Sequence, residues 1–181
     1  MKFTIFDTEL GFSGIVYWSR GDAAKAVHIL LPGPKKTITK TILERFPQAL
    51  KSSGNDVSEL RSCIQDFFLG KPNQISLDLV DTSILSPFQL SVLKEEHAIP
   101  RGKTSSYGRI ARRIESPAVR AVGTALARNP FPIVVPCHRA VRSSRLVGEY
   151  QGGTEMKRRI LSMEGVEFDS LGRVLPDHFL G

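Results

Sequence analysis

Apolar residues in the first third of the chain fall at alternate positions, or in short runs rich in β-branched and aromatic side chains: KFTIF from Lys2, GIVYWS from Gly14 and AVHILLP from Ala26. Patterning of this kind buries one face of a strand. Gly11 and residues 20–22 and 32–34 supply turn signals around these segments, so an antiparallel sheet is expected. The period then changes to that of a helix. TITKTILERF carries Ile38, Ile42, Leu43 and Phe46 at helical spacing and stops before Pro47, and LRSCIQDFFLG repeats the pattern with Leu60, Ile64, Phe67 and Phe68. Cys63 falls beside the second stripe, where a buried, inert thiol is expected because no base or cation is close in sequence. QISLDLV, with Ile75, Leu77 and Leu79 on one face, predicts a last strand.

The pattern shifts near residue 84, which divides the chain into an expected sheet-and-helix domain over 1–84 and a second domain over 85–181. SPFQLSVLKEEHAIP opens with Ser86 as helix cap and Pro87 at the first helical position. SSYGRIARRIE and SPAVRAVGTALARN follow as two short helical patterns, each led by a serine and joined by a tight break at ESP. Arginine lies outside and Ile, Val, Ala and Leu inside, a pattern that resembles a helix-turn-helix. NPFPIVVPCHR reads as extended, since prolines at 130, 132 and 136 forbid a helix. GEYQGG is a turn, and TEMKRRILSMEG a final helix with Thr154 and Gly165 as its caps. The fold class is α+β, with a mainly helical second domain.

Charge adds a location to this outline. The formal net charge is +7, and residues 101–145 hold ten bases, nine of them arginine, against a single acid, Glu115. Such a cluster is the footprint of a polyanion-binding surface, although a solvated face kept for solubility carries the same composition. No apolar run approaches a membrane span and no signal peptide precedes the first strand, so a cytosolic protein, or a nuclear one where there is a nucleus, is expected. Cys63 and Cys137 are the only cysteines, too few and too far apart for a disulfide framework or a cysteine zinc site.

Cys137 sits after Pro136 and before His138 and Arg139. A thiol needs a neighbouring base or a positive field to become a nucleophile. His138 offers the base, but in extended chain its ring points away from the thiol, and Glu164 is a candidate to orient it that sequence alone does not place. The ten residues by themselves fit a packed core cysteine as well as a reactive one.

Taken together, SYGRIARRI, RAVGTALARNP, IVVPCHRAV and YQGG resemble the C-terminal domain of the O6-alkylguanine-DNA alkyltransferase family, whose signature is PCHR after an apolar strand. The resemblance covers residues 60 to 169 strongly and the first domain in outline. It implies direct-reversal DNA repair in which Cys137 accepts the alkyl group of 6-O-alkylguanine, and also of 4-O-alkylthymine, in one irreversible turnover. It further implies His138 as base through a water, Glu164 orienting it, Tyr107 protonating the leaving guanine and Asn129 holding the turn behind the active loop. Arg120 would fill the place of the flipped base, with Ala121, Gly123, Arg113 and Arg128 also on DNA, and Tyr150, Gln151, Gly152 and Gly153 would line the base pocket. The implied partner is double-stranded DNA with alkylated bases, gripped by a monomer in the minor groove with little sequence specificity; no cofactor, metal or membrane is implied. Gln151, Ala140 and Leu93 depart from commoner family residues, and the ESP break is one residue short.

The residues read alone leave rivals. A Cys-His hydrolase would need an oxyanion hole and regenerate its thiol, while a non-catalytic lesion-binding module would have no use for a nucleophile. Tyr107 as a core aromatic, Arg120 as a solvated arginine, Asn129 as a helix-end cap and Glu164 as a surface carboxylate are the corresponding structural readings.

Overall fold

A computed structural model describes residues 1–20 and 23–181; the turn signal at residues 20–22 therefore falls partly outside the described residues. The chain divides into two compact units, Met1–Ile84 with Pro130–Val134, and Leu85–Asn129 with Val135–Gly181. No helix among the described residues is long and apolar enough to cross a membrane.

In the first unit β1 (Lys2–Thr8), β2 (Gly11–Arg20) and β3 (Ala23–Gly33) form the antiparallel sheet that alternation predicts, and β4 (Leu50–Lys51) adds a short parallel strand beside β1. One face is covered by α1 (Lys35–Arg45), whose Ile38 and Ile42 meet Phe3, Val16, Val27 and Leu30 in the core. Gly14 makes this approach close: a Cβ there would stand 3.0 Å from Ile42 Cδ1. Leu43, assigned to the same stripe, is exposed instead: it stands about 100° round the helix from Ile42, off the face that Ile38 and Ile42 turn to the sheet. In α2 (Ser58–Phe68) Leu60, Ile64, Phe67 and Phe68 are all buried, while Cys63 at the stripe's edge is half-buried rather than buried.

QISLDLV is not a strand. Ser76 accepts a hydrogen bond from the Asp78 N–H, and residues Leu77–Leu79 close into a single 3-10 turn, so the local side-chain bond displaces a ladder. Only Val80 reaches the sheet, as a parallel bridge to Ala26.

The second unit begins with α3 (Pro87–His97), capped by Ser86 as expected. Then come β5 (Thr104–Ser106), α4 (Tyr107–Arg113) and α5 (Val119–Ala127), with α3, α4 and α5 packed against one another. Ser106 caps α4, but Ser116 does not cap α5; its hydroxyl accepts from Ala118 N–H inside the turn. That turn is tight because α4 ends in a left-handed residue: Ser116 N–H bonds Ala111 O, Glu115 N–H bonds Arg112 O, and Glu115 has φ 55°. Glycine normally occupies this place.

Two short strands complete the unit. β6 (Ala140–Val141) and β7 (Phe179–Leu180) flank β5 in a parallel three-stranded sheet that the sequence reading missed, since segments of two or three wholly or half-buried residues carry no alternation. Between β6 and β7, α6 (Gly153–Met163) packs Leu161 with Val141, Val147, Val166 and Val174. Thr154 lies inside its first turn and does not cap it; Gly152 holds that place. The far end behaves as the sequence suggests, with Gly165 left-handed at φ 87° and Val166 N–H bonded back to Leu161 O.

The strain at Glu115 yields a prediction. Glu115→Gly relieves a left-handed conformation worth roughly 1 kcal/mol and raises the melting temperature by about 2–4 °C in calorimetry; an unchanged or lower midpoint contradicts the assignment.

Candidate active site

The run over 129–139 is not extended as its prolines suggest: Ile133 and Val134 form a turn, with Ile133 left-handed at φ 76°, and the chain turns again after Pro136. Cys137–Arg139 form one 3-10 turn in which Arg139 N–H donates to Pro136 O at 2.8 Å. The prolines exclude an α-helix but not this single turn, which a proline's fixed φ can begin. Cys137, His138 and Arg139 are all buried. β6 follows at once and pairs with β5 through Ser105 opposite Ala140 and Ser106 opposite Val141. Tyr107 is the next residue after β5, so the small sheet sets the phenol and the thiol against the same cleft.

Glu164 is the last residue of α6's cap, where the left-handed Gly165 turns the chain away. Its carboxylate accepts from Arg139 at both oxygens, Nε to Oε2 at 2.9 Å and Nη2 to Oε1 at 2.7 Å, and from His138 Nε2 at 3.1 Å. Arg139 Nη1 is anchored on Ile99 O, at the foot of α3. Burial would raise the Glu164 carboxyl, but the charge and hydrogen bonds of His138 and Arg139 outweigh it and hold it at about 2. An ionised carboxylate only accepts, so His138 Nε2 carries the proton and Nδ1 is the basic nitrogen. Burial also holds the imidazole's pKa below its ordinary value, with Glu164 pulling the other way.

The Cys137 thiol is pushed up to about 11, first by burial, against which an Asn129 hydrogen bond works. At neutral pH only about one molecule in ten thousand would be thiolate. A reaction at this thiol would therefore need a base that acts as the bond forms. Asn129 also donates to Val135 O at 3.0 Å, closing the loop that precedes Pro136. Burial pushes the Tyr107 phenol up to about 12, so it enters the cleft as a proton donor. Tyr150 stands edge-on to the His138 ring, with centroids 6.4 Å apart and planes at 84°. Its hydroxyl is buried with no hydrogen-bond partner among the described residues.

These groups open on a cleft of about 1080 Å³ whose walls include Cys137, Tyr107, Tyr150, Gln151, Arg142 and, from α5, Arg120 and Gly123. A Cβ at the half-buried Gly123 would touch nothing within 4 Å, so packing within this chain does not require a glycine there. Ala121 is half-buried on α5 and outside the lining; Gly152, half-buried, and Gly153, exposed, at the start of α6 lie outside it as well. Arg128 is exposed at the end of α5. Arg113 is paired with Glu95 at 2.9 Å and takes no part in the cleft.

The basic cluster is smaller than its count. Arg101, Lys103, Arg109 and Arg145 donate to the carbonyls of Met163, Asp177, Gly181 and Val174, and Arg139 and Arg113 bind carboxylates. Arg112, Arg120, Arg128 and Arg142 remain exposed without a side-chain partner among the described residues.

Two buried charges beside the site escaped the sequence reading. Glu96 on α3 is 0% exposed with no hydrogen-bond partner for either oxygen among the described residues, and Lys157 on α6 is equally buried, donating to Ala140 O at 2.6 Å and Glu149 O at 3.3 Å. The signal was present: Glu96 continues the buried stripe of Val92 and Leu93, and Lys157 that of Ile160 and Leu161, each at helical spacing.

Burial pushes Glu96 up to about 8, with Lys157 and Arg139 opposing. The folded chain then holds this proton more tightly than the unfolded one, whose carboxyl titrates near 4.5. Stability from this group is complete below pH 4.5 and is lost as pH rises through about 8. Glu96→Gln is expected to remove that loss, so the difference in melting temperature between variant and wild type grows from pH 5 to pH 8; a difference that stays flat with pH contradicts it.

Residues 87–166 match the family model for the 6-O-methylguanine DNA methyltransferase, DNA binding domain. A methylated-DNA–protein-cysteine methyltransferase from Methanothermobacter thermautotrophicus is 38% identical over 154 residues, covering 85% of this chain and 80% of that one. One from Methanosarcina mazei is 34% identical over 143 residues, 75% of this chain and 89% of its own. Among solved structures, the O6-methylguanine methyltransferase of Mycobacterium tuberculosis superposes with a TM-score of 0.70 at 28% identity, over 90% of this chain and 92% of that one. The same organism's protein in complex with DNA gives 0.71 at 28% identity, over 91% and 92%.

Proposed function

This chain belongs to the methylated-DNA–protein-cysteine methyltransferases, and from that membership we propose that it repairs DNA by moving the alkyl group of 6-O-alkylguanine onto Cys137. The observation that carries the assignment of Cys137 is the joining of one buried thiol to a histidine whose tautomer a buried carboxylate fixes, at the wall of a cleft lined by α5.

Cys137 Sγ attacks the alkyl carbon, and the S–C bond forms as the C–O6 bond breaks. His138 Nδ1 takes the thiol proton through a water, and Glu164 bears the imidazolium's charge. The departing guanine takes a proton from the Tyr107 hydroxyl, which recovers one from the His138 side. In net terms the thiol hydrogen replaces the alkyl group on the base. A thioether offers no low-energy return to the thiol, so each molecule acts once. 4-O-alkylthymine presents the same carbon–oxygen bond and is the secondary substrate.

A base inside a duplex is out of reach of a buried thiol and must be flipped, at a cost of a few kcal/mol. The exposed small residues of α5 suit close approach in the minor groove, where Arg120 fills the space the base has left. Arg112, Arg128 and Arg142 provide charge that reads phosphate and not sequence, and a monomer suffices. Its substrate sets the compartment: the cytosol, or a nucleus where there is one.

Intact-protein mass after reaction with a duplex holding one 6-O-methylguanine tests this reading. One methyl per molecule is expected on the Cys137 peptide, none on Cys137→Ala, with lesion loss stopping at one equivalent; continued turnover, or a methyl elsewhere, overturns it. Affinity for DNA should fall roughly 40-fold between 50 and 200 mM salt if the three exposed arginines other than Arg120 meet phosphate, and a salt-independent affinity counts against the proposed surface.

A further inference from the structure

Two glutamine amides converge on the carbonyls where α5 ends. Gln89, on α3, donates to Ala125 O at 3.3 Å and Arg128 O at 3.1 Å. Gln151, in the loop before α6, donates to Ala127 O at 3.0 Å and Asn129 O at 2.9 Å. The last carbonyls of a helix have no partner within it, and a side-chain amide with two hydrogens can close two at once. The two clasps differ in what they fasten. Gln89 ties α5 to another helix. Gln151 ties it to the wall of the cleft, since its neighbour Tyr150 is the ring edge-on to His138 and both residues line the space before Cys137. At the other end of α5 stands Arg120, in the same lining.

We propose that Gln151 is a positioning residue that couples DNA docking on α5 to the shape of the base pocket, its amide holding the Tyr150 loop in register with the end of the helix. This rests on the alkyl-transfer reading above. Gln151 touches no reacting atom; it acts through the loop. A ligand that reaches the pocket without loading α5 gains little from the clasp, whereas a base delivered by DNA bound along α5 needs helix and loop in one register.

The test compares 6-O-benzylguanine as free base with the same lesion in a duplex, following single-turnover adduct formation on Cys137 at saturating ligand. Saturation removes any gain in affinity from added charge. Gln151→Ala and Gln151→Glu are expected to slow the duplex reaction about tenfold more than they slow the free-base reaction, the free base reporting whatever the substitution does to the pocket lining itself. Gln151→Lys restores a donor to the helix end and should recover most of the duplex rate. Gln89→Ala, which frees the same helix end without touching the pocket loop, should leave the ratio of the two rates as in wild type. Equal slowing on both ligands, no recovery in the lysine variant, or the same split from Gln89→Ala overturns the coupling. Absence of any Cys137 adduct in wild type with either ligand would instead overturn the alkyl-transfer reading itself.

Discussion

The Glu164 carboxylate, buried and bound at once by the Arg139 fork and by His138, is the interaction on which the site depends. Taking a carboxylate and a guanidinium out of water is costly, and the cost is met only because both oxygens are filled and Arg139 has a further anchor on Ile99 O. Once that geometry exists, the rest is constrained. Arg139 fixes the turn that presents Cys137, and the carboxylate, able only to accept, dictates which histidine nitrogen is basic.

Local devices place the partners of that carboxylate. A left-handed glycine ends α6 so that Glu164 closes the helix and its chain turns away. A two-residue strand after the Cys137 turn pairs with the three-residue strand before Tyr107, so a handful of backbone bonds brings thiol and phenol to one cleft. The same unit leaves Glu96 buried with neither oxygen hydrogen-bonded among the described residues. A carboxyl in that position costs stability as pH rises toward about 8, and once ionised it raises the thiol further, so the site is not arranged for stability alone.

Much of this was legible in the sequence, for identifiable reasons. Long amphipathic elements announce themselves, which is why β1 to β3, α1 to α3 and the Ser86 and Ser106 caps stand where alternation, period and capping chemistry put them. Short ones do not. β5, β6 and β7 carry too few residues for a pattern, and in QISLDLV a serine hydroxyl competes successfully for the backbone that alternation assigns to a sheet. In the site, PCHR and its companion motifs marked Cys137, His138, Tyr107 and Glu164, but only the fold could bring Glu164, 26 residues on, to the imidazole. The basic count misled in the opposite direction: six of its ten residues are held by carbonyls or carboxylates that lie mostly far away in sequence, and no local pattern reveals that. Glu96 and Lys157 were legible and unread, each a charge standing in an apolar stripe.

The most direct measurement of the account is the ¹⁵N spectrum of the His138 ring in the unreacted protein at pH 7. A neutral imidazole protonated at Nε2, with Nδ1 bare of hydrogen, is the predicted state, and Glu164→Gln should disturb it. An imidazolium, or the tautomer protonated at Nδ1, would contradict the claim that the buried carboxylate prepares His138 to take the proton of Cys137.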